Sequence, residues 1–234
     1  MQLKAALAEI YGLRYMIDRL DIKSGLAHRV LLASPFIVSQ KDLQHQLELV
    51  SNTQKSLCDD STKPLLGKVT IKLAQVRDIG GTAKSIQKGV TLNDVELFEV
   101  KSFALIAQEV KELLKTIPFL GEQLPSLLAV VELLDPEGTR IPSFYISSHF
   151  DANLAPLRKQ LAGLELMLEG STDEQLQRQS DEVRSKIEAI EDGVRQRLST
   201  LLASHANDLA RAILAIASID ILIAKAKQAI ADSL

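Results

Sequence analysis

The last third of the chain carries the clearest alternation of apolar and polar positions. Leu157, Leu161, Leu164 and Leu168 recur at steps of four, three and four residues, which is the period of one face of an α-helix. A second apolar stripe follows a polar interruption at 170–175, and its members are Val183, Ile187, Ile190, Val194 and Leu201. Thr172 and Gln175 are spaced as a capping box. The pattern predicts an antiparallel helical arm with its tip near 170–180.

The second helix of this arm is predicted to be very long. From about 173 to 231 the chain has no proline and one glycine, Gly193. At 1.5 Å per residue such a helix would be roughly 85 Å long, whereas a compact domain of this size is roughly 35–40 Å across. We therefore expect the helix to project from the protein or to bend near Gly193. Residues 151–234 are interpreted as the arm, and its Ala- and Ile-rich inner end, 209–226, is expected to return to the core.

Residues 1–150 show helical spacing interrupted by turns and are predicted to form a helical core. Ser39 and Thr91 are placed as N-caps of two helices, with Asp94 at the capping-box position after Thr91, and 61–73 is assigned to a helix that contains a glycine. The apolar run in 140–147 is the best strand candidate, either a short hairpin or an extended connector. The predicted fold class is all-α, with at most this one β-hairpin or connector.

Composition agrees with a helical core. Apolar residues make up 46% of the 234 positions and aromatic residues 4%, so the core must consist of Leu, Ile, Val and Ala, which suit helix packing. The single cysteine, Cys58, excludes an internal disulfide and fits a reducing cytoplasm. The most apolar stretch, 212–224, is too short to cross a bilayer and contains Asp220. No membrane association is expected.

Charge and motifs exclude several functions. A net charge of −3 gives no overall attraction to nucleic acid. The glycine-rich run 80–85 lacks the spacing of a phosphate-binding loop, and the four histidines are far apart in the sequence, with no second His or Cys at metal-ligand spacing. We expect no catalytic residue, no metal site and no cofactor in this chain, and hence no enzymatic activity of its own.

Four polar residues remain of interest. Asp220 lies on the same stripe as apolar residues of the inner helix, and a carboxylate is costly to bury without partners. We expect it to accept hydrogen bonds from a neighbouring helix N-terminus or to pair with a cation, for which Lys225 and Lys227 are candidates. Near the arm tip, Arg178, Arg184 and Lys186 are candidate phosphate contacts, but acidic residues interrupt them, which favours a solvated surface.

Three runs resemble, in order and spacing, the core and lever region of the MutS family of DNA mismatch-repair ATPases. They are Leu92-Asn-Asp-Val-Glu-Leu-Phe-Glu-Val-Lys-Ser-Phe103, Leu134-Asp-Pro-Glu-Gly-Thr-Arg-Ile-Pro-Ser-Phe-Tyr-Ile146 and Ala217-Ser-Ile-Asp-Ile-Leu-Ile-Ala-Lys-Ala226. The last run is similar to the family's Leu-Asp-x-x-x-Ala-Lys-Ala pattern at Asp220. By the same resemblance, 13–50 and 78–103 correspond to core helices, 135–164 to a descending lever and 182–226 to an ascending one.

The resemblance implies a mechanical role. In that family, paired levers connect a DNA-embracing clamp with a C-terminal ABC-type ATPase that dimerises. This chain has no mismatch-reading N-terminal domain, only about ten residues between its two arm helices, and no ATPase before Leu234. We therefore expect a noncatalytic fragment of a longer homodimeric protein, in which ATP and Mg²⁺ belong to the missing domain and DNA is a possible partner.

The alternative is a helical coiled-coil scaffold that binds another protein through its arm and has no role on DNA. A P-loop within roughly 100–150 residues after Leu234 would favour the MutS-related hypothesis, whereas an unrelated domain or a stop codon there would favour the scaffold.

Overall fold

The computed structural model describes residues 2–169 and 173–232, and this part of the chain is all-α. The twelve α-helices of the described residues are α1 (Leu3–Glu9), α2 (Leu13–Asp18), α3 (Gly25–Ala33), α4 (Gln40–Cys58), α5 (Lys63–Leu73), α6 (Gly80–Gln87), α7 (Asp94–Leu113), α8 (Pro118–Gly121), α9 (Leu128–Leu134), α10 (Leu154–Leu168), α11 (Glu174–Ala203) and α12 (Ala206–Ala231). A 3₁₀ turn, Leu114–Thr116, extends α7. The predicted fold class is confirmed.

The core is built around α7 and α12. Helix α7 buries nine of its residues, among them Val100 and Phe103, between α5 and α9. Helix α12 buries twelve residues and packs against α3, α4 and α6. Because both helices are apolar on more than one side, each must be surrounded by other helices. The helix predicted for 61–73 is confirmed as α5.

The predicted caps are partly correct. The Ser39 hydroxyl accepts a hydrogen bond from the Asp42 N–H at 3.4 Å, as expected for the N-cap of α4. The prediction for α7 was wrong by two residues: Asn93, not Thr91, is the N-cap, and it forms a capping box with Glu96. The amide of Asn93 accepts from the Glu96 N–H at 2.9 Å, and the Glu96 carboxylate accepts from the Asn93 N–H at 3.0 Å. An amide side chain caps at least as well as a threonine.

The strand candidate in 140–147 forms no strand in the structure and is an irregular connector between α9 and α10. The only β pairing among the described residues is a single bridge between Gln2 and Pro35. The connector begins with a turn in which Gly138 and Arg140 have positive φ angles of 65° and 53°. Of the two forms predicted, the extended connector is therefore the one observed.

The arm is an antiparallel pair of helices, α10 and α11. The prediction of a single long helix from about 173 to 231 was wrong, because this part of the chain forms two helices. The chain ends α11 at Ala203 and begins α12 at Ala206, whereas Gly193 lies inside α11 with helical geometry. At the break, the N–H groups of Ser204 and His205 donate to carbonyls only three residues back. By the 1.5 Å rise, α11 and α12 are roughly 45 and 39 Å long.

Buried leucines lie on both sides of the break. Leu198 and Leu202 are buried at the end of α11, and Leu209 is fully buried at the start of α12. Leu201, which the sequence placed on the apolar stripe, is 46% exposed. The predicted capping box at Thr172 lies outside the described residues; Asp173 caps α11 by accepting from the Gln175 N–H at 2.8 Å.

Candidate functional site

Helix α11 is fixed to the core by an ion pair with the start of α7. Nε of Arg195 lies 2.8 Å from Oδ1 of Asp94, and Nη2 lies 3.2 Å from Oδ2. A two-pronged guanidinium–carboxylate pair defines orientation as well as distance. The hydrogen bonds that Arg195 donates to Asp94 and to Asp192 raise the pKa of its guanidinium against the opposing effect of burial. The guanidinium therefore stays charged at every ordinary pH.

One turn further along α11, Ser199 makes a buried contact with the same region. Its hydroxyl accepts a hydrogen bond from the Leu92 N–H at 2.9 Å and donates to the Arg195 carbonyl at 2.7 Å. The Leu92 N–H precedes α7 and has no helical acceptor, so Ser199 supplies one. Arg195 and Ser199 together anchor the inner end of α11, and we refer to these two residues with Asp94 and Leu92 as the arm anchor.

The buried carboxylate of Asp220 fixes α12 to the start of α3. It is 1% exposed. Oδ1 accepts from the Lys23 N–H at 3.0 Å, and Oδ2 accepts from both the N–H and the hydroxyl of Ser24 at 2.8 Å. The Ser24 hydroxyl in turn accepts from the Ala27 N–H and caps α3. The carboxylate thus lies at the positive end of a helix dipole, where a negative charge is favoured.

Of the two arrangements expected for Asp220, the structure therefore shows the helix N-terminus. The two lysines named as possible partners do not pair with it. Lys227 Nζ lies 3.6 Å from Oδ2 of Asp21. Lys225 lines a surface groove instead, and burial lowers the pKa of its ammonium group. Lys225, five residues on from Asp220, is rotated by about 140° around the helix axis, whereas Lys227, seven residues on, lies two turns further along nearly the same side.

Two interhelical ion pairs define the register of the arm. Arg158 on α10 lies 2.6 Å from Glu191 on α11, and Glu165 on α10 lies 2.9 Å from Arg184 on α11. A step of seven residues along α10 is matched by a step of seven in the opposite direction along α11, as an antiparallel pair with a heptad-like seam requires. Arg158 also donates to the Ile146 carbonyl and so attaches the arm to the connector.

The three cations predicted as phosphate contacts lie together on the tip half of α11, and each has a carboxylate neighbour. Arg178 lies 3.5 Å from Glu174, Arg184 pairs with Glu165, and Lys186 lies 2.6 Å from Glu182. All three are solvent-exposed. Exposed ion pairs of this kind contribute little free energy. The carboxylates therefore partly balance the three positive charges but leave them accessible from solvent.

A buried ion pair that the sequence did not reveal closes the turn after α9. Lys101 Nζ on α7 lies 3.0 Å from Oδ1 of Asp135, and both residues are 5% exposed. The Asp135 carboxylate also accepts from the Thr139 hydroxyl at 2.9 Å and the Arg140 N–H at 2.7 Å. Burial by itself would raise the pKa of Asp135, but these three hydrogen bonds outweigh it and hold the pKa below its usual range. The turn sequence after Leu134 marked the loop, but nothing in it marked Lys101 as the partner.

Within 2–169 and 173–232 no group of three or more His, Cys, Asp or Glu side chains is arranged to hold a metal ion. In the same part of the chain, no helix combines the length and apolar character needed to cross a bilayer.

No protein-family profile matches the chain, and no curated protein is significantly similar to it.

Proposed function

We propose that this chain is the noncatalytic core and lever region of a MutS-related DNA-repair ATPase that acts in the cytoplasm. The arm transmits conformational change between a DNA-proximal tip and an ATPase domain, and ATP and Mg²⁺ would be bound by that domain alone. The full-length protein would act as a homodimer with DNA as its partner. The proposal combines the sequence resemblance with one observation, namely that side-chain contacts attach the arm helix to the core.

The supporting observation is the sequence of attachments along α11 and α12. The arm register is held by Arg158 and Arg184, the arm anchor joins α11 to α7 through Arg195 and Ser199, and Asp220 joins α12 to α3. In this proposal a displacement of the tip moves the start of α7 through α11 and reaches the start of α3 through the turn that joins α11 to α12. Rigid-body movement of packed helices is an established way to transmit a conformational signal.

The mechanical part of the proposal is tested by the spread of distances between the arm and the core. Spin labels are placed at Ile71→Cys on α5 and Met167→Cys on α10, which are 62% and 64% exposed, in a background with Cys58→Ser. We expect pulsed electron–electron double resonance to give a single narrow distribution of the distance between the two labels. Removing the arm anchor with Arg195→Ala and Ser199→Ala is expected to broaden it, whereas Arg211→Ala, which removes an exposed pair on α12, serves as the matched control.

A broad distribution in the parent protein would contradict the lever, because an arm that moves freely at its base transmits no displacement. The DNA part is tested separately by titrating the chain with labelled duplex, mismatched and branched DNA at low and moderate salt. We expect binding that weakens as salt is raised. No binding even at low salt would remove DNA contact from this region.

The scaffold alternative is favoured by one feature of the arm. Leu166 and Met167 near the end of α10 are 68% and 64% exposed, and adjacent exposed apolar side chains on a coiled arm are suited to contact with another helix. If Leu166→Ser and Met167→Ser abolish a specific protein contact of the arm while DNA does not bind, the scaffold explains the chain better than the lever does.

A further inference from the structure

A half-open groove of about 710 Å³ lies on the core, and none of the residues that line it belongs to α10 or α11. Its walls are α3, α4, α8, α12 and the segment 34–37. Most of the lining is apolar, and the residues that matter for the argument are Phe36, Ile37, Leu43, Leu222 and Lys225. A groove of this size and composition is in the range of specific binding sites.

Lys225 gives the groove its chemical preference. It is the only Lys, Arg, Asp or Glu among the described residues that line the groove, and it is half-buried. No carboxylate of the described residues lies within ion-pair distance of its ammonium group, whereas Lys227, two residues on, pairs with Asp21. Burial lowers the pKa of Lys225, and no described group opposes this effect. An unpaired cation in an apolar wall favours an occupant that brings a negative charge.

The mouth of the groove indicates the size of the occupant. Phe36, Ile37 and Leu43 line the groove, yet each remains 43–47% exposed. Leu47, one turn from Leu43 on the same face of α4, is 61% exposed and continues the apolar surface beside the groove without lining it. A small molecule seated beside Lys225 would leave this stripe in water. A helix of 10–12 Å diameter would cover it and the groove together.

We propose that this groove binds an amphipathic helix of a protein partner, which lays its apolar side chains along α4 and places one carboxylate against Lys225. The occupant is defined by this chemistry, an Asp or Glu within an apolar face at helical spacing. The site is on the core, so it is distinct from the arm surface that the scaffold hypothesis would use. It is also independent of DNA and of the lever.

The test uses a displayed library of helical peptides. The framework residues are fixed and favour the helix, and the residues at positions i, i+3, i+4 and i+7 and their neighbours are random. The complete chain is immobilised as the target, and parallel selections use Lys225→Met and Lys225→Glu. We expect the parent protein to enrich apolar residues around one Asp or Glu, and Lys225→Glu to enrich Lys or Arg at that same position. Thermal unfolding of each variant checks that it is folded.

A peptide from the parent selection is then synthesised and its affinity measured by calorimetry. Lys225→Met is expected to weaken binding by more than about tenfold, since the peptide carboxylate loses its partner. Lys227→Met is the matched control on the same helix and should leave the affinity unchanged. Leu47→Ser should also weaken binding, although it lies outside the groove, and this result separates a helix from a small ligand.

Three results would overturn the proposal. One is a parent selection without an acidic residue in the apolar face, or peptides that bind Lys225→Met equally well. Another is saturable binding of dodecanoate that depends on Lys225 but not on Leu47, which would assign the groove to a small carboxylate. The third is concentration-dependent dimerisation in sedimentation velocity that Leu47→Ser abolishes, which would identify the occupant as a second copy of this chain.

Discussion

The carboxylate of Asp220 and the hydroxyl of Ser24 are 196 residues apart in sequence and 2.8 Å apart in space. Through this contact the middle of α12 is joined to the N-cap of α3. The Ser24 hydroxyl is both donor to Asp220 and cap of α3. The capping of one helix therefore depends on a residue of another.

Replacing Asp220 is expected to be among the most destabilising single changes in the core. Asp220→Ala leaves two N–H groups and one hydroxyl at a buried site without an acceptor, and we expect a loss of about 3 kcal/mol in the free energy of unfolding. Asp220→Asn keeps one accepting oxygen and should lose less. Urea titration followed by circular dichroism measures both, and Asp208→Asn, which removes an exposed ion pair on the same helix, should change stability by less than about 0.5 kcal/mol. Equal stabilities for Asp220→Ala and Asp208→Asn would show that the buried contact is not needed.

The buried pair of Lys101 and Asp135 should respond asymmetrically to mutation. Asp135→Ala leaves the ammonium group of Lys101 buried without a counter-charge and removes the acceptor of the turn, so a loss of about 3–5 kcal/mol is expected. Lys101→Met leaves Asp135 with the hydrogen bonds from Thr139 and Arg140 and should cost less. Denaturant unfolding of the two variants gives the comparison, and a larger loss for Lys101→Met would contradict it.

The same pair predicts a pH dependence. The folded-state pKa of Asp135 is below its unfolded value of 3.8, so the unfolded chain binds the proton more readily. The stabilising contribution of this carboxylate is fully present above pH 3.8 and is lost as the pH falls through the folded-state pKa. Urea unfolding between pH 5 and pH 2 should therefore show a loss of stability that is smaller in Asp135→Asn. An equal loss of stability in the parent protein and in Asp135→Asn would assign the pH dependence to other carboxylates.

The ion pair of Arg195 and Asp94 is expected to contribute a measurable coupling energy. Its two hydrogen bonds and the partial burial of Arg195, 21% exposed, favour a value of about 1 kcal/mol, the upper end for such pairs. A double-mutant cycle with Arg195→Ala and Asp94→Ala measures it. The exposed pair of Lys186 and Glu182, analysed in the same way, should give a smaller coupling. If the two couplings are equal, the arm anchor adds nothing to an ordinary surface contact.

The tip cations provide a test of DNA contact. If Arg178, Arg184 and Lys186 contact phosphates, replacing all three with alanine should weaken binding to duplex DNA and reduce the slope of log affinity against log salt by about 2–3. Neutralising their carboxylate neighbours with Glu174→Gln and Glu182→Gln should act in the opposite direction. Fluorescence anisotropy over a salt series measures both. Unchanged slopes in the triple variant would place any phosphate contact elsewhere.

The all-α character and the two arm helices were predictable from the sequence because local periodicity defines them. The heptad-like spacing on either side of 170–175 predicted α10 and α11, and the isolation of Asp220 among apolar residues predicted a partnered carboxylate. The cap of α7 was misplaced by two residues because Thr91 and Asn93 are both good caps in sequence, and the choice between them depends on where the preceding loop enters the helix. Lys101 gave no signal, since a lysine in a helix is ordinarily exposed.

The sequence by itself thus determined the all-α fold class and the helical character of 154–168 and 174–203, because these depend on neighbours within a few turns. Only the tertiary structure decided where the long helix breaks, at Ser204 and His205 instead of Gly193. It also decided that Asp220 meets Ser24 and not a lysine, and that Lys225, in an apolar groove, has no ion-pair partner among the residues that the structure describes. These features depend on which faces of distant helices are buried together, and contacts between residues 100 to 200 positions apart leave no periodicity in the chain.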